Sequence, residues 1–337
     1  MTFNDDLDQV RDLTASIAGE ADLAHTTVET PSLTTLLGAL AEAGLTDIAR
    51  ESDEPESHEV VAAAIGTQVG LAQAGIVYPS ADFDLYPIML TAGTELDSAL
   101  PAHTLLVPWS AVESGQPVAW ATHAEAILAH RLSSEGVEVA LLREFERSKS
   151  LVSIDGSPAC RIIPGPSPDW VASSEQISEW ISGIRHTTAL SVAAAQLSEI
   201  MKITVHYATE RTQFGRPVGR FQAVQKLIAE CSAQSEMVAS AAASSLHHLA
   251  SDRSLTPAAK LEIASGCLVA FDAVELVVRN SHQVLGAIGT TLEHSLQRYT
   301  RGVLQTRRQM DKADEVLEAL SELVTSDEKT VWEMIAS

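Results

Sequence analysis

The chain has 337 residues, with 22 Lys and Arg against 45 Asp and Glu, so its formal net charge is −23. Such an acidic surface disfavours nucleic acid and anionic membrane as partners, because both require basic surfaces. No apolar run approaches the roughly 18 residues that span a bilayer, and the three cysteines are widely spaced. We therefore expect a soluble, cytoplasmic, globular protein without a disulfide framework or a metal site.

The first 75 residues carry the pattern of short helices. After an acidic opening segment, helices are predicted over residues 32–49 and 58–72, with Thr30 and Pro31 as a start and Gly44 as a stop. The polar run between the two helices predicts a loop.

Residues 76–172 have a different composition, since nine prolines interrupt short apolar runs. Runs such as HTLLVPW and VEVALL have the length of buried strands, whereas AEAILAHRL is compatible with either a strand or a helix. The pattern predicts a small, irregular β region.

From residue 173 onward proline nearly disappears and helical periodicity takes over. Apolar residues at steps of three and four predict one helix of roughly 35 residues that ends before the sequence QFGRPVG. The remaining predicted elements are helices over 221–250 and 257–284, a glycine turn at 286–289, and shorter helices over 292–304 and 312–324. Long antiparallel helices with short connections predict an up-down-up-down bundle.

The predicted fold class is therefore mostly α (α+β). We expect an N-terminal helical segment over residues 1–75, a reduced β-rich middle region over 76–172, and a C-terminal helical bundle over 173–337.

Three arginines stand close together in HYATERTQFGRPVGRFQAVQ, within an otherwise acidic chain: Arg211, Arg216 and Arg220. Arginine offers a planar, permanently charged fork of donors that suits phosphate or carboxylate. The glycines of the loop would let a ligand approach the backbone. The alternative is a helix end whose arginines pair with surface acids such as Glu210.

A second cluster is QVLGAIGTTLEHSLQRYTR, in which Gly286 and Gly289 form a tight turn between helices. A glycine turn beside a helix start lets the backbone approach the phosphates of a dinucleotide. The alternative is an ordinary connection between two helices.

Taken together and in order, the two stretches resemble the acyl-CoA dehydrogenase family. The first resembles the family's R-x-x-F-G-x-P stretch, and the second resembles its later Q-x-x-G-G-x-G stretch, at the right separation. The resemblance covers residues 180–301. It implies the fold of that family, with N-terminal helices, a β region and a C-terminal four-helix bundle, and FAD as the cofactor.

The resemblance also implies roles for individual residues. Arg211 matches the arginine that contacts the FAD pyrophosphate and Phe214 the aromatic beside it, both acting on a flavin held chiefly by a neighbouring subunit. Gln283, Gly286 and the backbone at Ala287 match the residues along the adenosine–pyrophosphate arm. Ala287 stands where the family usually has its second glycine.

The reaction of the family requires a carboxylate base, which removes an α proton while a hydride leaves Cβ for the flavin. The resemblance places this glutamate at one of two positions, where the present chain has Arg185 and Met310. Asp311 is the nearest acid to the second position, and a local rearrangement could also recruit Glu179.

A short chain without an evident base resembles the smaller subunit of heteromeric acyl-CoA dehydrogenases from actinobacteria. The resemblance thus predicts a subunit that donates FAD-binding residues to a longer acyl-CoA dehydrogenase-like partner, in an assembly that dehydrogenates an acyl-CoA substrate. Two alternatives stay open: a complete homo-oligomeric enzyme that uses a displaced acid such as Asp311, and a non-enzymatic helical assembly protein.

Overall fold

The computed structural model describes residues 2–20, 30–134, 136–251 and 255–310, together with residues 316, 321 and 325. The chain forms two compact units, of which the first ends at Ser182 and the second begins at Gly183. The finer predicted division at residues 75 and 172 stays a prediction. None of the described helices is long and apolar enough to cross a membrane.

The first unit begins with helices, as the sequence predicts. They are α1 (Phe3–Glu20), α2 (Thr30–Glu42), α3 (His58–Gln73), α4 (Ser80–Phe83) and α5 (Leu85–Thr91). Helix α2 ends before residue 49 because Gly44, with φ of +71°, closes a Schellman motif in which the Leu45 N–H donates to the Leu40 carbonyl at 2.9 Å.

The strands of the first unit begin at Thr104, later than the sequence pattern indicates. They are β1 (Thr104–Pro108), β2 (Val118–Ala119), β3 (Ala126–Ser133), β4 (Gly136–Leu142), β5 (Phe145–Arg147), β6 (Leu151–Val152), β7 (Pro158–Cys160), β8 (Ile162–Pro164) and β9 (Val171–Ala172), with helix α6 (Trp109–Glu113) after β1. Residues 80–91 are helical instead of β. Pro79 precedes α4 and Pro87 lies in the first turn of α5, where a missing N–H breaks no helical hydrogen bond.

The largest sheet has the strand order β1-β3-β4-β9. Strand β3 is parallel to β1, with Leu106 opposite Leu128, and forms an antiparallel hairpin with β4. The ambiguous run AEAILAHRL is therefore a strand. The core of this unit contains the fully buried Trp120, whose indole N–H donates to the Val77 carbonyl at 2.9 Å.

The second unit is a helical bundle, which confirms the mostly α fold class. Its elements are α7 (Glu175–Glu210, which starts in the first unit), β10 (Thr212–Gln213), β11 (Arg216–Pro217), α8 (Gln222–Ser251), α9 (Pro257–Leu285) and α10 (Leu296–Arg307). Helix α10 lies a few residues later than the predicted 292–304, and the helix predicted over 312–324 lies almost entirely outside the described residues. The core between the helices is built from residues such as Leu190, Leu197, Val238, Val274 and Val303.

Candidate functional site

The first predicted cluster forms a small, well-defined loop at the end of α7. The Arg211 N–H donates to the Tyr207 carbonyl at 2.9 Å, and the Val218 N–H donates to the Arg211 carbonyl at 2.8 Å. Between these two bonds, β10 and β11 form an antiparallel hairpin. Its two-residue turn is Phe214-Gly215, with φ of 51° and 76°, as a type I′ turn requires.

Phe214 is held at the tip of this hairpin with its side chain 92% exposed. Its ring lies edge-on to Phe221 with the centroids 6.2 Å apart, and the Arg216 guanidinium lies 4.2 Å over the Phe221 ring. The hairpin thus presents an aromatic ring to solvent from a backbone conformation that a non-glycine residue rarely adopts.

Gly219 fixes the loop against α7. A Cβ atom at this position would lie 2.9 Å from the Ala208 carbonyl oxygen, closer than real Cβ contacts allow. The close approach of the two backbones therefore requires glycine. It holds the loop that begins at the exposed Arg211 against α7.

The second predicted cluster forms the turn after α9. Gly286 has φ of 68° and ψ of −148°, a region that is essentially restricted to glycine, and residues Gly286–Thr290 form a 3₁₀ turn. Gln283, Gly286 and Ala287 are all exposed. Among the described residues other than its chain neighbours, no heavy atom lies within 4 Å of the position that a Cβ at Gly286 would occupy, so this part of the backbone is open to a ligand.

The chain brings the end of α7 together with the segment that follows the glycine turn. A cleft of about 410 Å³ lies between them, lined by Ile203, His206, Tyr207, Glu210, Arg211, His294 and Ser295. The Tyr207 and His294 rings meet edge to face with centroids 6.3 Å apart. Arg211 thus lines this cleft, whereas Phe214, Gln283, Gly286 and Ala287 are exposed on the two loops and do not line it.

The charges in the cleft leave Arg211 available for a ligand. Glu210 lies 3.2 Å from His206, one helical turn back, instead of pairing with an arginine. Within the described parts of the chain, the Arg211 side chain has no hydrogen bond, ion pair or ring contact. Among the described residues the helix end of that alternative is present, but the pairing of Arg211 with Glu210 is not.

His294 contributes a neutral donor to the same cleft. Its Nδ1 accepts a hydrogen bond from the Leu296 N–H at 3.1 Å, so the proton of the neutral ring is on Nε2. Burial lowers the pKa of His294, which favours this neutral form. An unpaired guanidinium, an imidazole N–H and an open glycine backbone suit a phosphate-bearing ligand.

Sequence reasoning missed Tyr207, His206 and His294 as parts of the cleft. The spacing of Ile203, Tyr207 and Arg211, four residues apart, is the pattern that places them on one helix face. No pattern in the sequence indicates His294, because its position depends on how the turn after α9 packs.

The two positions at which the resemblance places a base are not acidic. Arg185 lies in α7 beside the buried Ile184, and Met310, which follows α10, is buried. Asp311 lies outside the described residues. Glu179 is exposed in the early part of α7.

Part of the chain is similar in sequence to known proteins. Residues 182–308 match the model of the acyl-CoA dehydrogenase C-terminal domain. Acyl-CoA dehydrogenase FadE34 of Mycobacterium tuberculosis is 32% identical over 146 residues, which are 43% of this chain and 20% of that protein. Acyl-CoA dehydrogenase IpdE2 of Mycolicibacterium smegmatis is 35% identical over 120 residues, which are 35% of this chain and 36% of that protein. The chain thus matches only a minor part of the length of these relatives.

Solved structures extend the likeness to the whole fold. The ChsE4-ChsE5 complex of Mycobacterium tuberculosis matches with a TM-score of 0.76 and 18% identity, over 98% of this chain and 100% of that chain. The Tcur3481-Tcur3483 steroid ACAD matches with a TM-score of 0.77 and 19% identity, over 96% and 99%. Residues 182–308 thus match the acyl-CoA dehydrogenase C-terminal domain, and the chain shares its fold with these solved structures.

Proposed function

We propose that this chain is a subunit of an FAD-dependent acyl-CoA dehydrogenase assembly, in which it holds part of the FAD and does not supply the catalytic base. The observation that carries this proposal is the unpaired Arg211 guanidinium in the cleft between α7 and the segment after the glycine turn. The reaction of the assembly is the α,β-dehydrogenation of an acyl-CoA thioester, for which FAD, when bound, supplies the hydride acceptor.

The residues of both loops fit the diphosphate arm of FAD. Arg211 would bind the diphosphate through charge-assisted hydrogen bonds, and the exposed backbone at Gly286 and Ala287 would lie along the same arm. Gln283 would donate its side-chain amide, and Phe214 would cover the cofactor from the hairpin tip. Because both loops are exposed, the rest of the FAD site has to come from a neighbouring subunit.

The residues at the two expected positions of the base support a division of labour between subunits. A base cannot be replaced by the arginine or the methionine at the two expected positions, Arg185 and Met310. A longer acyl-CoA dehydrogenase-like partner would then carry the glutamate and most of the flavin pocket. The fold likeness to chains of the ChsE4-ChsE5 complex and of Tcur3481-Tcur3483, each named for two components, favours such a heteromer. A cytoplasmic location stays a prediction.

Purification of the tagged chain from its native host tests the proposal. We expect a longer acyl-CoA dehydrogenase-like protein and FAD to accompany it, and acyl-CoA oxidation with an artificial electron acceptor to require both proteins. Activity of the chain alone would instead favour a homo-oligomeric enzyme. A colourless preparation without a partner would favour a non-enzymatic assembly protein.

Substitution of Arg211 tests the site itself. Arg211→Ala should weaken FAD binding by the assembly roughly ten- to a hundredfold, as expected for the loss of a charge-assisted contact. Titration of the flavin-depleted assembly with FAD, followed by flavin fluorescence, measures this. Arg279→Ala is the matched control, because Arg279 is exposed on α9 outside both loops and its loss changes the net charge equally. Equal affinities in the two variants would contradict the role of Arg211.

A further inference from the structure

His282 connects three elements around the glycine turn. It lies in the last turn of α9, directly before Gln283, and its carbonyl accepts the N–H of Gly286. Its side-chain Nε2 lies 3.0 Å from the hydroxyl of Thr300, which is buried in α10. The residue therefore holds the turn through its backbone and α10 through its side chain.

The hydrogen bonds of Thr300 bear on which ring nitrogen of His282 carries the proton. When the Thr300 hydroxyl donates its single hydrogen to the Gln297 carbonyl, 3.3 Å away, it accepts from the Nε2–H of His282; this tautomer also leaves no unpaired N–H at the buried Nδ1. Burial alone lowers the pKa of His282, since no charged group among the described residues contributes to the change. The ring is thus a neutral donor to α10.

The other edge of the ring faces the turn. His282 Nδ1 is buried and has no hydrogen-bond partner among the described residues. It lies 3.3 Å from the position that a Cβ at Gly289 would occupy. Side-chain atoms of Leu285 and Leu296 lie 3.0 and 3.1 Å from the same position. The imidazole therefore fills the space beneath the turn, and the bond to Thr300 determines where it sits.

We propose that His282 is a positioning residue for the FAD-binding turn: its bond to Thr300 holds residues Gly286–Thr290 in the geometry that receives the diphosphate arm. This inference rests on the proposed function, because it assigns to the turn the ligand given there. The exposed Gly286 and Ala287 would contact the ligand, whereas His282 acts through them. A turn that samples other geometries binds its ligand more weakly, by the fraction of time spent in them.

Two substitutions each remove the hydrogen bond between His282 and Thr300, one at each partner. His282→Leu removes the donor, and Thr300→Val removes the acceptor with almost no change in shape. Each should weaken FAD binding by the native assembly about fivefold, which corresponds to the loss of one neutral hydrogen bond. The double variant should be no weaker than either single variant, because both break the same contact. His282→Gln, whose amide nitrogen reaches the same point as Nε2, should restore most of the affinity.

Thr306→Val is the matched control for a purely structural effect. Thr306 is also buried in α10, and its hydroxyl donates to the side-chain oxygen of Gln196 at 3.1 Å, but it lies away from the turn. This variant should lower the melting temperature of the chain to a similar extent as Thr300→Val while FAD affinity stays unchanged.

The outcomes separate this inference from the proposed function. Unchanged FAD affinity in Thr300→Val, with the loss retained in Arg211→Ala, would overturn the role of His282 and leave the proposed function standing. A loss in Thr306→Val equal to that in Thr300→Val would also overturn it. A wild-type assembly that binds no FAD would overturn both.

Discussion

At the scale of single residues, Phe214 combines two features that folding alone disfavours. Its backbone is left-handed, which costs a non-glycine residue about 1–2 kcal/mol, and its ring is almost fully exposed, so it gains little from burial. An aromatic residue at such a position indicates a ligand or a partner subunit that covers it. The exposed ring therefore supports the site that the proposed function assigns to this hairpin.

Replacement of Phe214 by asparagine should separate stability from binding. Asparagine before glycine is a preferred pair for a type I′ turn, so Phe214→Asn should raise the free energy of unfolding by up to about 1 kcal/mol. The same variant should bind FAD more weakly in the assembly, because the ring is gone. Urea unfolding of the chain and FAD titration of the assembly measure the two effects.

Phe214→Ala is the control for this prediction. Alanine also removes the ring but has no preference for the left-handed conformation, so FAD affinity should fall without the gain in stability. If both variants bind FAD as the wild type does, the ring has no role in the site.

The residue scale also shows what the sequence could and could not predict about the site. Arg211 and Phe214 could be identified because a loop motif fixes their spacing along the chain. The unpaired state of Arg211 could not be predicted, since Glu210 can pair with either Arg211 or His206. In the structure it pairs with His206. His282 and His294 have no motif at all, because their roles arise from packing between segments that are distant in sequence.

At the scale of elements, α1 and α3 pack unusually closely along two glycines of α3. A Cβ at Gly66 would lie 2.7 Å from the Leu7 carbonyl oxygen, and one at Gly70 would lie 2.5 Å from the Arg11 carbonyl oxygen. The two glycines are four residues apart and therefore share one face of the helix. Backbone-to-backbone packing of this kind leaves no room for a methyl group.

Alanine at either glycine should therefore destabilise the first unit, although alanine favours isolated helices. Gly66→Ala and Gly70→Ala should each lower the free energy of unfolding by about 1–3 kcal/mol through overpacking. Gly38→Ala in α2 is the control, because no atom of the described residues outside the backbone of its own helix lies within 4 Å of its Cβ position, and it should stabilise by up to about 1 kcal/mol. Thermal unfolding of the three variants distinguishes packing from helix propensity, and stabilisation in all three would contradict the close packing.

The sequence predicted the long elements better than the short ones. The helices α7, α8 and α9 begin and end within a few residues of the expected positions, because several turns of apolar periodicity define each of them. The two-residue strands β2, β6 and β9 have no period to detect. Strand β3 forms because it pairs with both β1 and β4, a tertiary constraint that the ambiguous local sequence cannot show.

At the scale of the whole molecule, the charge distribution agrees with a local anion site. The chain carries a formal net charge of −23, yet Arg211, Arg216 and Arg220 stand together on one loop. A net negative surface repels free nucleotides at long range, so the attraction of such a loop acts at short range within a docked assembly. This agrees with a subunit that completes a flavin site on its partner and does not capture FAD alone.

The effect of substituting Asp311 depends on whether the catalytic base lies on the partner subunit or on this chain. Under the proposed function the base is on the partner, so Asp311→Asn, a change of charge at nearly constant shape, should leave the rate of acyl-CoA oxidation by the assembly unchanged. If Asp311 were the base, the same change would lower the rate by about 10²–10⁴-fold while FAD stayed bound. Steady-state kinetics at saturating acyl-CoA, with bound FAD quantified in the same preparation, decide between them. Arg211→Ala should give the opposite pattern, in which FAD is lost first and excess FAD restores activity. A rate loss in Asp311→Asn at full FAD occupancy would instead place the base, and with it a complete enzyme, in this chain.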